Sequence, residues 1–198
     1  MNITVYCGAA SGNDPEFKKR AEELGRWIAS KDYTLIYGGG NQGMMGAISA
    51  ACLEAGGCAT GVSPRFFIAN EETRSDLDEL IIADDMSHRR NIMMELGDAF
   101  IALPGGTGTL DEISEVMAMK RLGRLGTITK PIMIYNINSY YDSLFDFLDV
   151  MKAEDFCRPE DRTNAIEVKC IEDIERALEH AGRHDTTRTT VYDNLQKE

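Results

Sequence analysis

Ala99-Phe100-Ile101-Ala102-Leu103-Pro104-Gly105-Gly106-Thr107-Gly108-Thr109-Leu110-Asp111-Glu112 is the stretch on which the reading of this chain turns. Its first five residues form a short, strongly apolar run of the kind that fills a buried strand. From Gly108 to about Leu122 the pattern is helical. Glycines between a buried strand and a helix N-terminus let the backbone turn sharply and come close to a ligand. The free N–H groups and the helix dipole at that point favour an anion, typically a phosphate. Gly105, Gly106, Thr107, Gly108 and Thr109 are therefore candidate phosphate-binding residues. Glu112 stands one turn into the helix, where a carboxylate repels the anion beside it. An acid kept at such a place points to chemistry as well as binding.

The same alternation runs through the chain. Strands are expected at Ile3–Cys7, Tyr33–Tyr37, Cys58–Val62, Leu80–Ala83 (a weaker one), Ala99–Leu103, Pro131–Tyr135 and near Ala165–Val168. Helices are expected at about Asp14–Ser30, Met44–Ala55, Met86–Gly97, Gly108–Leu122, Tyr141–Lys152 and Ile171–His180. Strands alternating with helices give an α/β fold, a doubly wound, mainly parallel sheet with helices on both faces. The boundaries suggest a single nucleotide-binding domain over residues 1–181 and a polar C-terminal tail over 182–198. Ligands of such sheets bind at the carboxyl ends of the strands. Three glycine-bearing loops, 8–12, 38–43 and 104–108, fall at such ends.

Bulk composition narrows the ligand. The 198 residues are 43% hydrophobic, ordinary for a globular protein, and carry a net charge of −12. That balance disfavours a nucleic acid polymer, which is held by many Lys and Arg contacts. A mononucleotide needs only a few N–H donors and a cation. The five cysteines form neither a C-x-x-C pair nor a disulfide framework, so a reducing cytoplasm is expected, and no metal site. Met1–Val5 leads directly into a strand without a signal-like segment, and no stretch has the length and apolarity to span a membrane.

Around the three loops, Gly8, Ser11, Gly39 and Gly40 are candidate ligand contacts. Gly38-Gly39-Gly40-x-x-Gly43 departs from G-x-G-x-x-G, and Gly56–Val62 supplies no acid closing a second strand, so a dinucleotide site is disfavoured. In the 108–122 helix, Glu112, Glu115 and Met119 share one face; Leu110, Ile113 and Met117 share another, available to the core. Ser87-His88-Arg89-Arg90 opens the preceding helix, with Ser87 as a plausible N-cap. Basic residues oppose the dipole there and need another reason for their position. Met86, Arg89 and Met93 share a face, which makes Arg89 the better candidate to meet a ligand. Arg90 is expected to be held by carboxylates or to meet a second phosphate oxygen. Tyr140 and Tyr141 read as anchors of the helix that follows them.

The segments Val5–Gly12, Tyr37–Gly46, Gly61–Pro64, Met86–Arg90 and Pro104–Glu112 resemble, in this order, the LOG ("lonely guy") family of cytokinin riboside 5′-monophosphate phosphoribohydrolases, often mislabelled lysine decarboxylases. The likeness runs from Val5 to about Phe156. It implies a Rossmann-like homodimer, without cofactor, that hydrolyses the N-glycosidic bond of a nucleoside 5′-monophosphate to free base and ribose 5-phosphate. It also implies that Arg89 and Glu112 are catalytic; beside that, Met86, Arg90 and Glu115 are candidate substrate- or phosphate-binding residues. The family's M-H-E-R-K reads Met86-Ser87-His88-Arg89-Arg90 here, and a usual Trp and Gln are replaced by Met119 and Arg121. Should those two positions border the base pocket or the dimer contact, the preferred base departs from a prenylated adenine. Lysine decarboxylation needs pyridoxal phosphate on a Schiff-base lysine, and neither Lys120 nor Lys130 has such a context.

In the expected chemistry a carboxylate stabilises the oxocarbenium-like sugar and orients or deprotonates water, which is the part for Glu112, with help from Glu115. Arg89 holds phosphate or ribose. A guanidinium does not release a proton near neutral pH, so the leaving base draws its proton from water or from a group such as Asp84 or Asp85. The competing class is a non-catalytic Rossmann-like carrier of a phosphorylated ligand, as the molybdenum cofactor carriers are. The glycine loops suit both classes; the Arg89/Glu112 pairing favours the enzyme.

Overall fold

The computed structural model describes residues 1–69, 73–125, 130–158, 162 and 164–182. All but residue 182 of the expected polar tail lies outside the described residues. The apolar runs become seven strands: β1 (Asn2–Tyr6), β2 (Thr34–Tyr37), β3 (Cys58–Pro64), β4 (Glu79–Ala83), β5 (Ala99–Ala102), β6 (Ile132–Tyr135) and β7 (Ala165–Val168). Between them lie α1 (Pro15–Ser30), α2 (Gly43–Glu54), a short α3 (Arg65–Ala69), α4 (Met86–Leu96), α5 (Thr107–Arg121) and α6 (Asp142–Ala153). A helix α7 covers 171–182.

The strands form one sheet of order β4-β3-β2-β1-β5-β6-β7, parallel at every pairing. The chain winds outward from β1 to β4, then returns to place β5 on the other side of β1. The switch point thus falls between β1 and β5, where a crevice opens at the strands' carboxyl ends. Tyr6 is in register with Ala102, so the loops leaving the two strands start level. They meet directly: the Gly8 N–H donates to Pro104 O at 3.1 Å.

Alternate strand residues feed two cores. Ile3, Val5, Leu35, Tyr37, Ile101 and Met133 pack with Leu24, Ile28, Ile48 and Ile174 from α1, α2 and α7. Tyr6, Ile36, Phe100, Ala102 and Ile134 pack on the opposite face with Met93, Ile113, Val116 and Phe145 from α4, α5 and α6. This is the doubly wound, Rossmann-like arrangement expected, with helices on both faces. β4 is an edge strand of the sheet, as β7 is at the other side, and its weak apolar signal goes with exposure: Leu80 and Ile82 are exposed.

Candidate functional site

A cleft of about 650 Å³ lies at the switch point, within the range that takes small-molecule ligands. Its wall includes Cys7, Gly8 and Ala9 after β1; Gly38, Gly40, Asn41, Gln42 and Met45 after β2; Ser63 near the end of β3; and Phe67 and Thr73 beyond it. Met86 and Arg89 come from α4, and Gly106, Thr107, Gly108, Thr109, Asp111 and Glu112 from the α5 side. The structure therefore brings Gly8, Gly40, Met86, Arg89, Gly106, Thr107, Gly108, Thr109 and Glu112 together, as expected. It does not place Ser11, Gly39, Gly105, Arg90 or Glu115 on the wall.

The physical reasons differ. Ser11 is exposed outside the cleft. Gly39 has its carbonyl turned to the Arg74 N–H at 2.8 Å, on the strap that a Gly40–Thr73 bridge ties to this loop. Gly105 sits behind the wall, where a Cβ would lie 2.1 Å from Thr109 Oγ1 and 2.8 Å from Gly8 N; only a glycine lets the two loops touch. Arg90 is spent on carboxylates, with Nε 2.6 Å from Glu115 Oε2 and Nη1 3.2 Å from Asp111 Oδ2. Glu115 is thereby committed to Arg90 and not to the cleft. Met119 and Arg121 also lie off the wall.

Helix capping separates the elements that bound the cleft. Asp14 caps α1, accepting from Glu16 N at 2.9 Å. Asp85, and not Ser87, caps α4, accepting from His88 N at 2.8 Å; Ser87 lies within the first turn. Asp84 is drawn to His88, with Oδ2 3.3 Å from Nδ1. Neither aspartate is on the cleft wall. By contrast α2 and α5 begin at Gln42 and Gly106 with no side-chain cap, and both begin on the cleft wall. The α5 ladder opens with Leu110 N–H to Gly106 O at 3.1 Å, so the amides before Leu110 have no intrahelical acceptor. Helix N-termini without side-chain caps suit an anion; at α2 the Gly8 carbonyl already accepts from Met44 N at 3.1 Å, which leaves the α5 end the freer of the two.

Besides the exposed Asp111, the cleft wall carries one buried acid and one buried base, and they are paired. On α4, Met93 is fully buried in the core and carries Arg89, one turn earlier on the same face, over the ends of the strands. Arg89 Nε donates to Val62 O at 2.9 Å and Nη1 to Glu112 Oε1 at 2.6 Å. Both side chains are 9% exposed. Nη2 lies beneath Gly38, where a Cβ would stand 2.2 Å away, so this glycine makes room for the guanidinium. Glu112 belongs to the buried face of α5 with Thr109, Ile113 and Val116. The expected core face was rotated: Leu110 is 43% exposed, because the helix turns its glutamate inward to meet Arg89.

Burial pushes the Glu112 carboxyl above its ordinary value, and the neighbouring Arg89 offsets part of the rise. Cys7 shares the wall, but burial and the Glu112 charge push its thiol far up, so it stays protonated and is no nucleophile. A pyridoxal-type site does not fit: among the described residues no lysine lines the cleft, and Lys120 Nζ donates to Lys130 O at 2.9 Å.

Fold and cleft together define a Rossmann-like α/β protein with a cleft at its switch point. A family model described as "possible lysine decarboxylase" matches residues 45–180. The chain is 41% identical over 172 residues to a cytokinin riboside 5′-monophosphate phosphoribohydrolase of Rhodococcoides fascians, covering 86% of this chain and 85% of that protein. It is 37% identical over 184 residues to one of Arabidopsis thaliana, covering 92% and 85%. The chain belongs to the LOG family. Among solved structures, the molybdenum cofactor carrier protein of Chlamydomonas reinhardtii superposes with a TM-score of 0.68 at 21% identity, over 92% of this chain and 98% of that one. The molybdenum cofactor binding protein of Rippkaea orientalis gives 0.66 at 22%, over 90% and 94%. These two share the fold.

Proposed function

We propose that this protein hydrolyses the N-glycosidic bond of a nucleoside 5′-monophosphate, a cytokinin riboside 5′-monophosphate or AMP-like compound, giving free base and ribose 5-phosphate. The observation that carries the reading is the buried Arg89–Glu112 pair, 2.6 Å apart, on the wall that also holds the α5 N-terminus. Pure anion binding gains nothing from a carboxylate there; a developing sugar cation does. The 5′-phosphate takes the amides and hydroxyls of 106–109. Arg89 fixes the Glu112 carboxylate and so turns its other oxygen toward C1′. Glu112 takes a proton from the water that attacks C1′ as the bond to the base breaks, and the base receives its proton from solvent. The name-level relatives support this over the carrier reading, which rests on likeness of fold. We further infer one domain over 1–181 and a cytoplasmic homodimer; among the described residues all five cysteines are free, which suits a reducing compartment.

The test is incubation with AMP, an N6-substituted AMP and adenosine, followed by chromatography for free base. Both monophosphates are expected to release base, and adenosine at least about a hundredfold more slowly at equal concentration, since it forgoes the charge-assisted phosphate contacts. Equal turnover of AMP and adenosine overturns the phosphate assignment. AMP bound without release of base favours the carrier.

Acidity follows from the raised Glu112 carboxyl. A raised value keeps the carboxyl protonated to higher pH, and a protonated acid cannot take the water's proton. The acid limb of kcat/KM for AMP is therefore expected to have its midpoint above 4.5, the ordinary glutamate value. A limb at or below it overturns the assignment of Glu112 as base.

A further inference from the structure

Three consecutive carbonyls of the loop entering α5 are each held by a hydrogen-bond donor, the two tyrosine donors standing off the cleft wall. Tyr141 Oη donates to Leu103 O at 2.7 Å, Gly8 N–H to Pro104 O at 3.1 Å, and Tyr140 Oη to Gly105 O at 2.6 Å. In a trans peptide the C=O and the following N–H point in opposite directions. Holding Gly105 O thus sets the direction of the Gly106 amide, and Gly106 lines the cleft while Gly105 does not.

The tyrosines are themselves fixed by an unusual turn. A 3₁₀ turn at Ile137–Ser139 follows β6, with Asn138 at φ 49° and Ser139 at φ 62°, left-handed values that cost energy unless the surroundings hold them. Asn138 Nδ2 donates to Asp14 Oδ2 at 2.7 Å, the same carboxylate that caps α1. Buried Asn136 accepts from Tyr141 N at 2.8 Å and donates to Asp142 and Glu167 at 2.7 Å each. The Tyr140 ring stands edge-on to Phe17 and Tyr141, at 5.4 and 4.9 Å between centroids. Yet Tyr140 is 44% exposed, so its hydroxyl is placed by these contacts and not by burial.

We propose that Tyr140 is a positioning residue: its hydroxyl, acting through the Gly105 carbonyl, aims the Gly106 amide at the substrate's 5′-phosphate. The inference rests on the reading of the cleft as a nucleoside monophosphate site. Without the hydroxyl the 105–106 peptide is free to rotate, and the phosphate loses a preset donor; the bond-breaking groups, Arg89 and Glu112, are untouched.

The test is Tyr140→Phe in the full chain, with kcat and KM for AMP, calorimetric titration with ribose 5-phosphate, and a thermal melt. KM and the ribose 5-phosphate Kd are expected to rise together, by about tenfold, the scale of one good hydrogen bond. The expectation for kcat is a change under about twofold and for the melt no shift, which separates positioning from a structural role. Parent-like KM and Kd, or a loss confined to kcat, overturns the proposal while leaving the site reading intact. Absence of hydrolysis by the parent overturns the enzyme reading, and the ribose 5-phosphate titration still decides for or against Tyr140. A parent that binds no ribose 5-phosphate overturns both.

Discussion

Glu112→Gln protein is expected to lose about 10²–10⁴-fold in kcat with AMP, the usual worth of a positioned general base, while its affinity for AMP stays within about threefold of the parent. Glutamine keeps the volume and an oxygen able to accept from Arg89 Nη1, so the hydrogen bond now at 2.6 Å survives. What goes is the negative charge, and with it both the capacity to take water's proton and the field that stabilises a cationic sugar. Affinity is spared because the phosphate is held by 106–109 and not by the acid. Losing a like charge from the neighbourhood of an anion even favours binding. Single-turnover release of adenine, measured beside equilibrium binding of AMP to the same variant, separates the two effects. Parent-like turnover in the variant ends the assignment. Binding without release by parent and variant alike returns the protein to the carrier class.

Much of the fold was legible because its strands are parallel and buried on both faces, leaving apolar runs that end in glycine. Ala99–Leu103 and Ile3–Cys7 are of that kind, and the structure places them side by side. Where burial is partial the signal fades. β4 lies at an edge, and α3 spans only Arg65–Ala69, too few residues to display a helical period. The site was legible as parts. Glu112 and Arg89 stood out by position, one behind a glycine loop and the other at a helix start that disfavours cations. Their pairing as partners in one site was legible too; the direct hydrogen bond between them, 2.6 Å across 23 residues, was not, because it depends on which way α5 turns about its axis. Periodicity offered Leu110 to the core; the cation under Gly38 drew Glu112 inward and left Leu110 outside. The cap of α4 was misassigned by two residues because Asp85 and Ser87 are both good caps, and only the backbone at Asp85 is extended. The hold of Tyr140 on Gly105 had no sequence signal, since its partner is a backbone carbonyl 35 residues away.

Arg89→Met is the substitution expected to cost the most stability. It removes the cation from a side chain that stays buried, leaving Glu112 uncompensated and Val62 O without its donor. Breaking a buried pair from one side typically costs about 3–5 kcal/mol. In a domain of this size that lowers the melting midpoint by about 6–20 °C, at about 2–4 °C per kcal/mol. Activity falls as well, because nothing then orients the Glu112 carboxylate. The cost has a pH signature. Without Arg89 the burial that already raises the Glu112 carboxyl is opposed only by the lesser pull of Arg90, so its folded value lies further above the unfolded one. A carboxyl raised on folding destabilises the folded state as pH climbs past the unfolded value and leaves it unharmed below that value. The variant should therefore melt closest to the parent near pH 4 and fall away from it toward neutrality. Arg89→Met combined with Glu112→Gln removes the stranded charge, and the double variant is expected to be more stable than Arg89→Met alone at pH 7, by about 1–3 kcal/mol of coupling. Destabilisation that is independent of pH, or strictly additive in the double variant, means that Arg89 matters to the fold for its packing and not for the charge it meets.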